Sequence, residues 1–486
     1  MIKTKHISSD LSMDVFMSLN VLKNNSIIIG LVDADLLDNG TRHPNLALLK
    51  IAGYLYDNNV SFELIEDDHV DISKFYRIYL SKVFSFTKLP VFYEQANSEE
   101  LKKFVLGGTG FYANEPNVIK YKQARIIDMT RLSNDEYLNS LINFSGGPKR
   151  NGIDTSRQKP FYNLYDKYIE RKINEGKKKS FYKDYLRYSI GFLTRGCIRH
   201  CPFCVNKLEK AVMPYSKLEW FLDNEKDEKG RLKRPYIYLW DDNFLAASPT
   251  IWKPLLQELI DTKRPFQFRQ GLDERIIAES PNGEEIAEML SRCKYHGDYI
   301  FAFDNWKDRE KIEKALKIWK RYNKKETKFY LFCGFKLNPN DDKKLYTDIW
   351  EIFQRIKILM QYGCLGYVMR HENYHNHELS NIYVQIARWC NQPAFYKKMS
   401  FWEFCYRNQT FWEEQTLGRK VIALKSYDEF MVDYNNGYYN SIKICLPLRT
   451  VIAFIERFAE HKEEILEMFN YKLSNLVQPS LWENVN

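Results

Sequence analysis

Apolar positions along this chain fall into short bursts separated by longer stretches of helical spacing, the rhythm of a parallel α/β protein. The first burst covers residues 27–33. After the loop Asp38-Asn-Gly-Thr-Arg-His-Pro44, Leu46, Leu49, Ala52, Leu55 and Tyr56 recur as one helical face. Short strands are expected at 61–65, 76–84 and 103–106, the last running into Gly107-Gly-Thr-Gly110. A strand feeding a glycine-rich turn suits either a ligand approaching backbone amides or a tight structural turn. Six more strands are expected at 188–193, 236–240, 266–269, 298–303, 328–333 and 365–369. They are spaced widely enough for a crossover helix after each, and 248–259, 281–291 and 309–322 carry helical patterns. Beyond 375 the rhythm ends, and 381–389, 401–406 and 451–469 read as helices, with Glu463, Glu464 and Glu467 on a shared polar face.

These patterns predict an α/β chain in four parts. Residues 1–150 form a Rossmann- or flavodoxin-like parallel sheet domain, and 151–180 form a connector rich in glycine, lysine and aromatic residues. Residues 181–375 form a partial barrel of six strand–helix units, and 376–486 form a mainly helical carboxyl-terminal region. The polar residues that stand out fall at the carboxyl ends of the barrel strands, where such folds gather their chemistry.

Composition narrows the class. With 486 residues, 44% hydrophobic and 28% charged, the chain has material for a real core and is neither disordered nor collagen-like. It has no apolar run near 20 residues, and Met1-Ile-Lys-Thr-Lys-His6 lacks the start of a secretory signal. Nine cysteines do not make a disulfide scaffold. A cytoplasmic enzyme without membrane contact is expected. The formal charge of +9 is unevenly spread: residues 1–150 hold 17 basic and 18 acidic side chains, so the remaining 336 carry +10. That excess permits nucleic-acid contact without showing it.

The sharpest chemical signal is Gly196-Cys-Ile-Arg-His-Cys-Pro-Phe-Cys204. Cys197, Cys201 and Cys204, spaced C-x3-C-x2-C just after the first barrel strand, can converge on one centre, and soft sulfur suits an iron–sulfur cluster or zinc. Three cysteines can hold three irons of a four-iron cluster and leave the fourth open. A structural zinc site wants a fourth protein ligand, and His200 adjoins Cys201 too closely to serve easily.

With this loop at the head of six strand–helix units, the sequence resembles the radical S-adenosylmethionine (radical SAM) superfamily. It is similar in particular to the branch with an amino-terminal cobalamin-binding-like domain. Leu239-Trp-Asp-Asp-Asn-Phe244 resembles the family's second-strand segment, Arg269-Gln-Gly-Leu-Asp273 its third and Met369-Arg370 its sixth, covering about residues 185–375. The amino-terminal likeness lies in Gly30-Leu-Val-Asp-Ala-Asp35, His43-Pro-Asn-Leu46 and Gly107-Gly-Thr-Gly110, without the D-x-H-x-x-G run that offers a histidine to cobalt.

The resemblance implies that Cys197, Cys201 and Cys204 bind a 4Fe–4S cluster whose open iron takes the amino and carboxylate groups of SAM, with Phe203 near the adenine. It implies reductive cleavage of SAM to a 5′-deoxyadenosyl radical, an electron donor such as flavodoxin or ferredoxin, and a peptide, nucleic acid or small molecule as substrate. It leaves open whether cobalamin is bound, with Gly107, Gly108 and Gly110 as cofactor-contact positions. Cobalamin-dependent methyl transfer is the alternative reaction, and a non-enzymatic RNA-binding or scaffold protein is the remote one.

Among the strand ends, Asp241, Asp242 and Asn243 are expected to meet the methionine ammonium, its carboxylate or the ribose, with Asp242 the leading acid and a plain cap or turn as the competing role. Arg269 and Gln270 are expected to address a carboxylate, unless Arg269 pairs with Asp273. Asp304 and Asn305 are placed to reach the ribose or to cap the next helix, Gly334 to admit the adenine, and Arg370 to hold the SAM carboxylate or a substrate anion. His371, His375 and His377 read more as a polar loop than as a second metal site. Cys333 and Cys364 read as core residues sooner than as reactive thiols.

Overall fold

The computed structural model of the protein describes residues 28–111, 157–204, 206, 211–418 and 424–483. The chain divides into two compact units, one of residues up to 255 with 262–269, the other of 256–261 with 270–486.

The first unit opens with four parallel strands, β1 (Ile28–Asp33), β2 (Ser61–Leu64), β3 (Phe75–Ser81) and β4 (Phe104–Gly107), in the order β2-β1-β3-β4. β1 is an unbroken apolar run because both faces of the sheet are covered. The helix Leu46–Asp57 packs Leu48, Leu49, Ala52 and Leu55 with Ile29 and Leu31 on one side. Phe92, Tyr93 and Leu101 pack with Val32, Leu80 and Phe104 on the other. Asn45 starts that helix by accepting from Leu48 N at 3.2 Å. The strand order reverses direction between β1 and β3, which leaves a crevice at their carboxyl ends.

Much of the expected connector belongs to this core. Gly146-Gly-Pro148 and Asn151-Gly152 lie outside the described residues. The helix Asp166–Asn174 and its approach, however, bury Tyr162, Leu164, Tyr165, Tyr168 and Ile169 in the cluster made by the helix Leu46–Asp57. Phe161 N donates to Leu49 O at 2.8 Å. The Tyr162 hydroxyl donates to Phe221 O at 2.6 Å and accepts from Ile190 N at 2.8 Å, pinning the segment to the next sheet.

That sheet is β5 (Tyr188–Gly191), β8 (Tyr236–Leu239) and β9 (Phe266–Phe268), all parallel and in chain order. Between β5 and β8 lies a two-residue antiparallel pair not foreseen in the sequence, β6 (Thr194–Arg195) with β7 (Met213–Pro214). It is too short to show periodicity.

The second unit holds β10 (Tyr299–Ala302), β11 (Thr327–Cys333) and β12 (Leu365–Arg370), again parallel and in chain order, with Leu272 bridging to Phe301. Thr327, Phe329, Leu331 and Cys333 of β11 are buried while Lys328, Tyr330 and Phe332 are half-buried. The helices Arg309–Tyr322 and Asp342–Gln361 follow β10 and β11 as crossovers, burying Trp319, Ile349, Ile352 and Phe353. In both three-stranded sheets strand order follows chain order, as in a (β/α) barrel, and a helix makes each crossover except that from β5 to β8, where no α-helix is found among the described residues.

The helix expected over 451–469 is two helices, Leu446–Arg457 and Lys462–Phe469, joined through a tight turn at Ala459–His461. Phe458 leaves helical geometry there, and Phe454, Phe469, Phe353 and Phe401 pack ring to ring around the bend. The acidic face beyond the bend has partners: Trp350 donates to Glu464 at 2.7 Å and Lys357 pairs with Glu467 at 3.2 Å. No helix among the described residues is long and apolar enough to cross a membrane.

Candidate functional site

Beyond β5 and β6 the chain turns at Gly196, whose φ of +108° a side chain would disfavour, and again at His200 with φ +49°. Between and after these turns stand Cys197, Cys201 and Cys204, none in a disulfide and all partly accessible. Cys204 N donates to Cys201 O at 2.9 Å, closing the second half of the loop. N–H groups point at the sulfurs: Arg199 N to Cys197 Sγ at 3.5 Å, Asn206 N to Cys204 Sγ at 3.4 Å, and Asn243 Nδ2 to Cys197 Sγ at 3.5 Å. Such donors stabilise sulfur that carries negative charge. Phe203 is half-buried in the same loop.

Two carboxylates fasten this loop to the end of β8. Asp241, fully buried, accepts from Leu193 N at 3.2 Å and from Thr194 N and Oγ1 at 2.6 and 2.7 Å. Burial pushes its acid up to about 7 against the pull of those bonds. Asp242 Oδ2 accepts from Arg195 Nε and Gly196 N, both at 2.9 Å. Arg195 in turn lies over Phe192, 4.3 Å from the ring centre. Neither acid is a simple helix cap. Asp241 is spent on the loop, and Asp242 uses one oxygen for it. At the end of β9, Arg269 stacks on Tyr238 at 4.7 Å and reaches His43 Nε2 at 3.4 Å.

Apart from Gly107, Gly108 and Gly110, the remaining expected site residues belong to the second unit. Gln270 is exposed. Asp273 is bound by Arg275 at 2.7 Å, and Arg275 also holds Asp308 at 2.8 Å. Asp304 accepts from Phe332 N at 3.2 Å, and burial raises its acid to about 6 although Arg355 and Arg275 oppose this. Of Asp304 and Asn305, it is Asn305 that takes the capping role and accepts from Lys307 N. Gly334 N donates to Asp348 at 2.7 Å, and the space that a side chain at Gly334 would need is filled by Tyr374. Arg370 is exposed, with its guanidinium over Tyr374 at 4.6 Å.

His371 and His377 each accept a local backbone N–H, and His377 also bonds Asp342 at 3.0 Å. Cys333 and Cys364 are buried, and burial raises both thiols, that of Cys364 to about 12. Both behave as core residues.

Sequence reasoning missed Arg195 and Arg355. Arg355 is fully buried and donates to Phe303 O at 2.8 Å and Phe332 O at 3.1 Å, tying together the ends of β10 and β11. The available signal was a lone cation on the apolar face of Ile349, Ile352, Ile356 and Leu359.

At the carboxyl edge of the first sheet the polar groups satisfy one another. Tyr165 donates to Asp33 at 2.9 Å, Asn45 to Ser81 at 2.7 Å, and Asp35 accepts from Val83 N at 2.7 Å and from the Thr87 hydroxyl. The turn Gly107–Gly110 lies directly against the Lys82–Phe84 backbone: at Gly108, with φ +99°, an added Cβ would sit 2.2 Å from Lys82 O. Val83, Phe84 and Phe86 are left exposed.

Burial and the neighbouring Asp35 raise the Asp33 acid to about 7 from 3.8. The folded chain therefore keeps a proton that the unfolded chain releases, and stability falls as pH rises between about 4 and 7, by up to about 1.4 kcal/mol per unit, staying low above. Asp33→Asn should flatten that fall and add on the order of 1–2 kcal/mol at pH 8. Thermal melts of both proteins at pH 5 and 8 check this, and an unchanged pH dependence would count against it.

Among the described residues no three His, Cys, Asp or Glu side chains are arranged to hold one metal ion. A cluster makes a different demand, since each cysteine binds its own iron, and sulfurs that accept N–H bonds on a loop whose root is held by Asp241 and Asp242 fit that demand. For a corrinoid, the exposed Val83, Phe84 and Phe86 fit the face of a macrocycle, whereas the glycine turn is taken up by packing.

No family model matches the sequence, and comparison with curated proteins finds no match. Two solved structures are similar. One is the radical S-adenosylmethionine methyltransferase TsrM from Kitasatospora setae with cobalamin and a 4Fe–4S cluster bound, at 14% identity and TM-score 0.41, over 71% of this chain and 72% of that one. The other is the cobalamin-dependent S-adenosylmethionine radical enzyme OxsB with aqua-cobalamin and S-adenosylmethionine bound, at 12% identity and TM-score 0.39, over 97% of this chain and 82% of that one. The chain resembles them at the level of fold, with parallel sheets and helical stretches at low sequence identity.

Proposed function

We propose that this protein is a radical SAM enzyme. The observation that carries the reading is the Cys197, Cys201 and Cys204 loop at the head of a singly wound parallel sheet, with N–H donors on two of its sulfurs. When bound, a 4Fe–4S cluster with SAM supplies one-electron cleavage of the sulfonium to a 5′-deoxyadenosyl radical. The chain's own part is positional. Cys197, Cys201 and Cys204 hold three irons, and Asn243 donates to the Cys197 sulfur. Asp241 and Asp242 keep the loop on the end of β8, and Asp242 retains Oδ1 for a ligand ammonium. Arg269 and Arg370 are cations for a carboxylate or another anion, and a flavodoxin or ferredoxin is the electron donor.

Anaerobic reconstitution should give about four irons per chain, and addition of reductant and SAM should give 5′-deoxyadenosine. A zinc-loaded protein that never cleaves SAM would remove the reading.

A second reading, cobalamin-dependent methyl transfer, is favoured by the β2-β1-β3-β4 sheet with its exposed apolar edge at Val83, Phe84 and Phe86. Protein purified anaerobically from a cobalamin-fed host should retain a corrinoid and form S-adenosylhomocysteine beside 5′-deoxyadenosine. A chain that binds no corrinoid leaves only the first reading.

A further inference from the structure

In the carboxyl-terminal helices of the second unit, an open groove of about 990 Å³ runs between the helix Gln409–Leu417, the helix Tyr427–Asn435 and the start of the helix Leu446–Arg457. Its lining combines large exposed rings with cations and, among the described residues, includes no carboxylate. Phe411 is 54% exposed and Tyr434 44%, values that core packing does not explain. Lys443 sits over the Trp412 ring at 4.6 Å, so a ring and a positive charge are presented together. Arg449 is exposed, and among the described residues no hydrogen bond or ion pair engages its side chain. The carboxylate behind the floor, Glu413, is fully buried and accepts from Tyr439 at 2.7 Å and Tyr406 at 3.2 Å, so it holds Tyr439 in place without facing the groove.

Exposed rings stack on bases, unpaired cations meet phosphates, and a lining without acids does not repel a polyanion. The amides of Asn408 and Asn440, both exposed on the rim, add the donors and acceptors that a ribose 2′-hydroxyl uses. We infer that this groove binds single-stranded RNA. The inference stands on the groove and is separate from the cluster loop. Joined to the proposed chemistry, it makes RNA the substrate class.

The test is fluorescence anisotropy of a labelled oligouridine of about 12 nucleotides with the full chain, purified anaerobically with its iron. The double variant Lys443→Glu/Arg449→Glu should weaken binding at least about tenfold and lower the slope of log affinity against log salt by about 1.4, from two lost phosphate contacts. Phe411→Ala/Trp412→Ala should weaken binding by a similar factor and leave the salt slope unchanged. A control with the same charge change on an outer helix, Lys314→Glu/Lys317→Glu, should bind as wild type. Substrate-free formation of 5′-deoxyadenosine should be equal in all of these proteins, which keeps a failure of the groove distinct from a failure of the SAM reading. Groove variants that bind like wild type, a control that loses as much, or an acidic peptide or DNA oligomer that binds as tightly as RNA would each overturn the inference.

Discussion

Cys201→Ala is expected to leave the chain folded but without its iron, and SAM cleavage should fall by on the order of 10³-fold or more. Replacing an outer-shell partner of a metal ligand costs about 10–100-fold, and removing a ligand from a three-cysteine set must cost more. The fold should survive because Cys201 is partly accessible and is not among the buried core residues. The same outcome is expected for Cys197→Ala and Cys204→Ala. For Cys333→Ala and Cys364→Ala the pattern should invert, with iron retained and stability reduced, because both thiols are buried. Iron content, the visible absorption of the reconstituted protein and 5′-deoxyadenosine formation check the set. Full iron in Cys201→Ala would disconnect the loop from any cluster.

The second large effect is expected at Asp242. Its Oδ2 holds both Arg195 and the Gly196 amide, so Asp242→Ala removes the carboxylate that ties a partly buried guanidinium and an N–H together at the root of the cysteine loop. The cost should be about 2–3 kcal/mol of stability, below the figure for a fully buried pair because Arg195 keeps some solvent contact, with about 10–100-fold weaker iron retention. Asp242→Asn separates this anchoring role from direct contact with SAM. An amide oxygen can still accept from Gly196, so the anchoring role predicts near-normal iron and a modest loss of stability. Contact with the methionine ammonium predicts normal iron and a markedly raised KM for SAM, since an amide does not counter that charge. Thermal melts, iron titration and SAM kinetics on the two variants distinguish the roles. Normal iron and stability in Asp242→Ala would exclude the anchor.

Most elements were legible because their signals are local. Alternating or continuous apolar runs marked every strand longer than two residues, and helical spacing marked 309–322 and 401–406 as the structure has them. The break at Phe458 was not legible, because the residues there suit a helix and only the rings of Phe353, Phe401 and Phe469 bend it. Nor was the helix Asp166–Asn174 in the expected connector: it buries only Tyr168 and Ile169, too few positions to mark a helical face, and its aromatic approach finds its place only where Tyr162 bonds Ile190 and Phe221.

For the site, the spacing of Cys197, Cys201 and Cys204 by itself determined the class of metal chemistry to consider, because ligands within one loop are covered by sequence distance. Which acid does what was decided only by the tertiary structure. Asp241, Asp242 and Asn243 are adjacent in the chain, yet one is buried against Thr194, the next anchors Arg195, and the third donates to the Cys197 sulfur. Their partners lie 46 to 47 residues away. Sequence periodicity says which face a side chain takes, whereas a hydrogen bond depends on where two distant segments meet. That meeting is fixed by the packing of parallel strands, which no local pattern encodes.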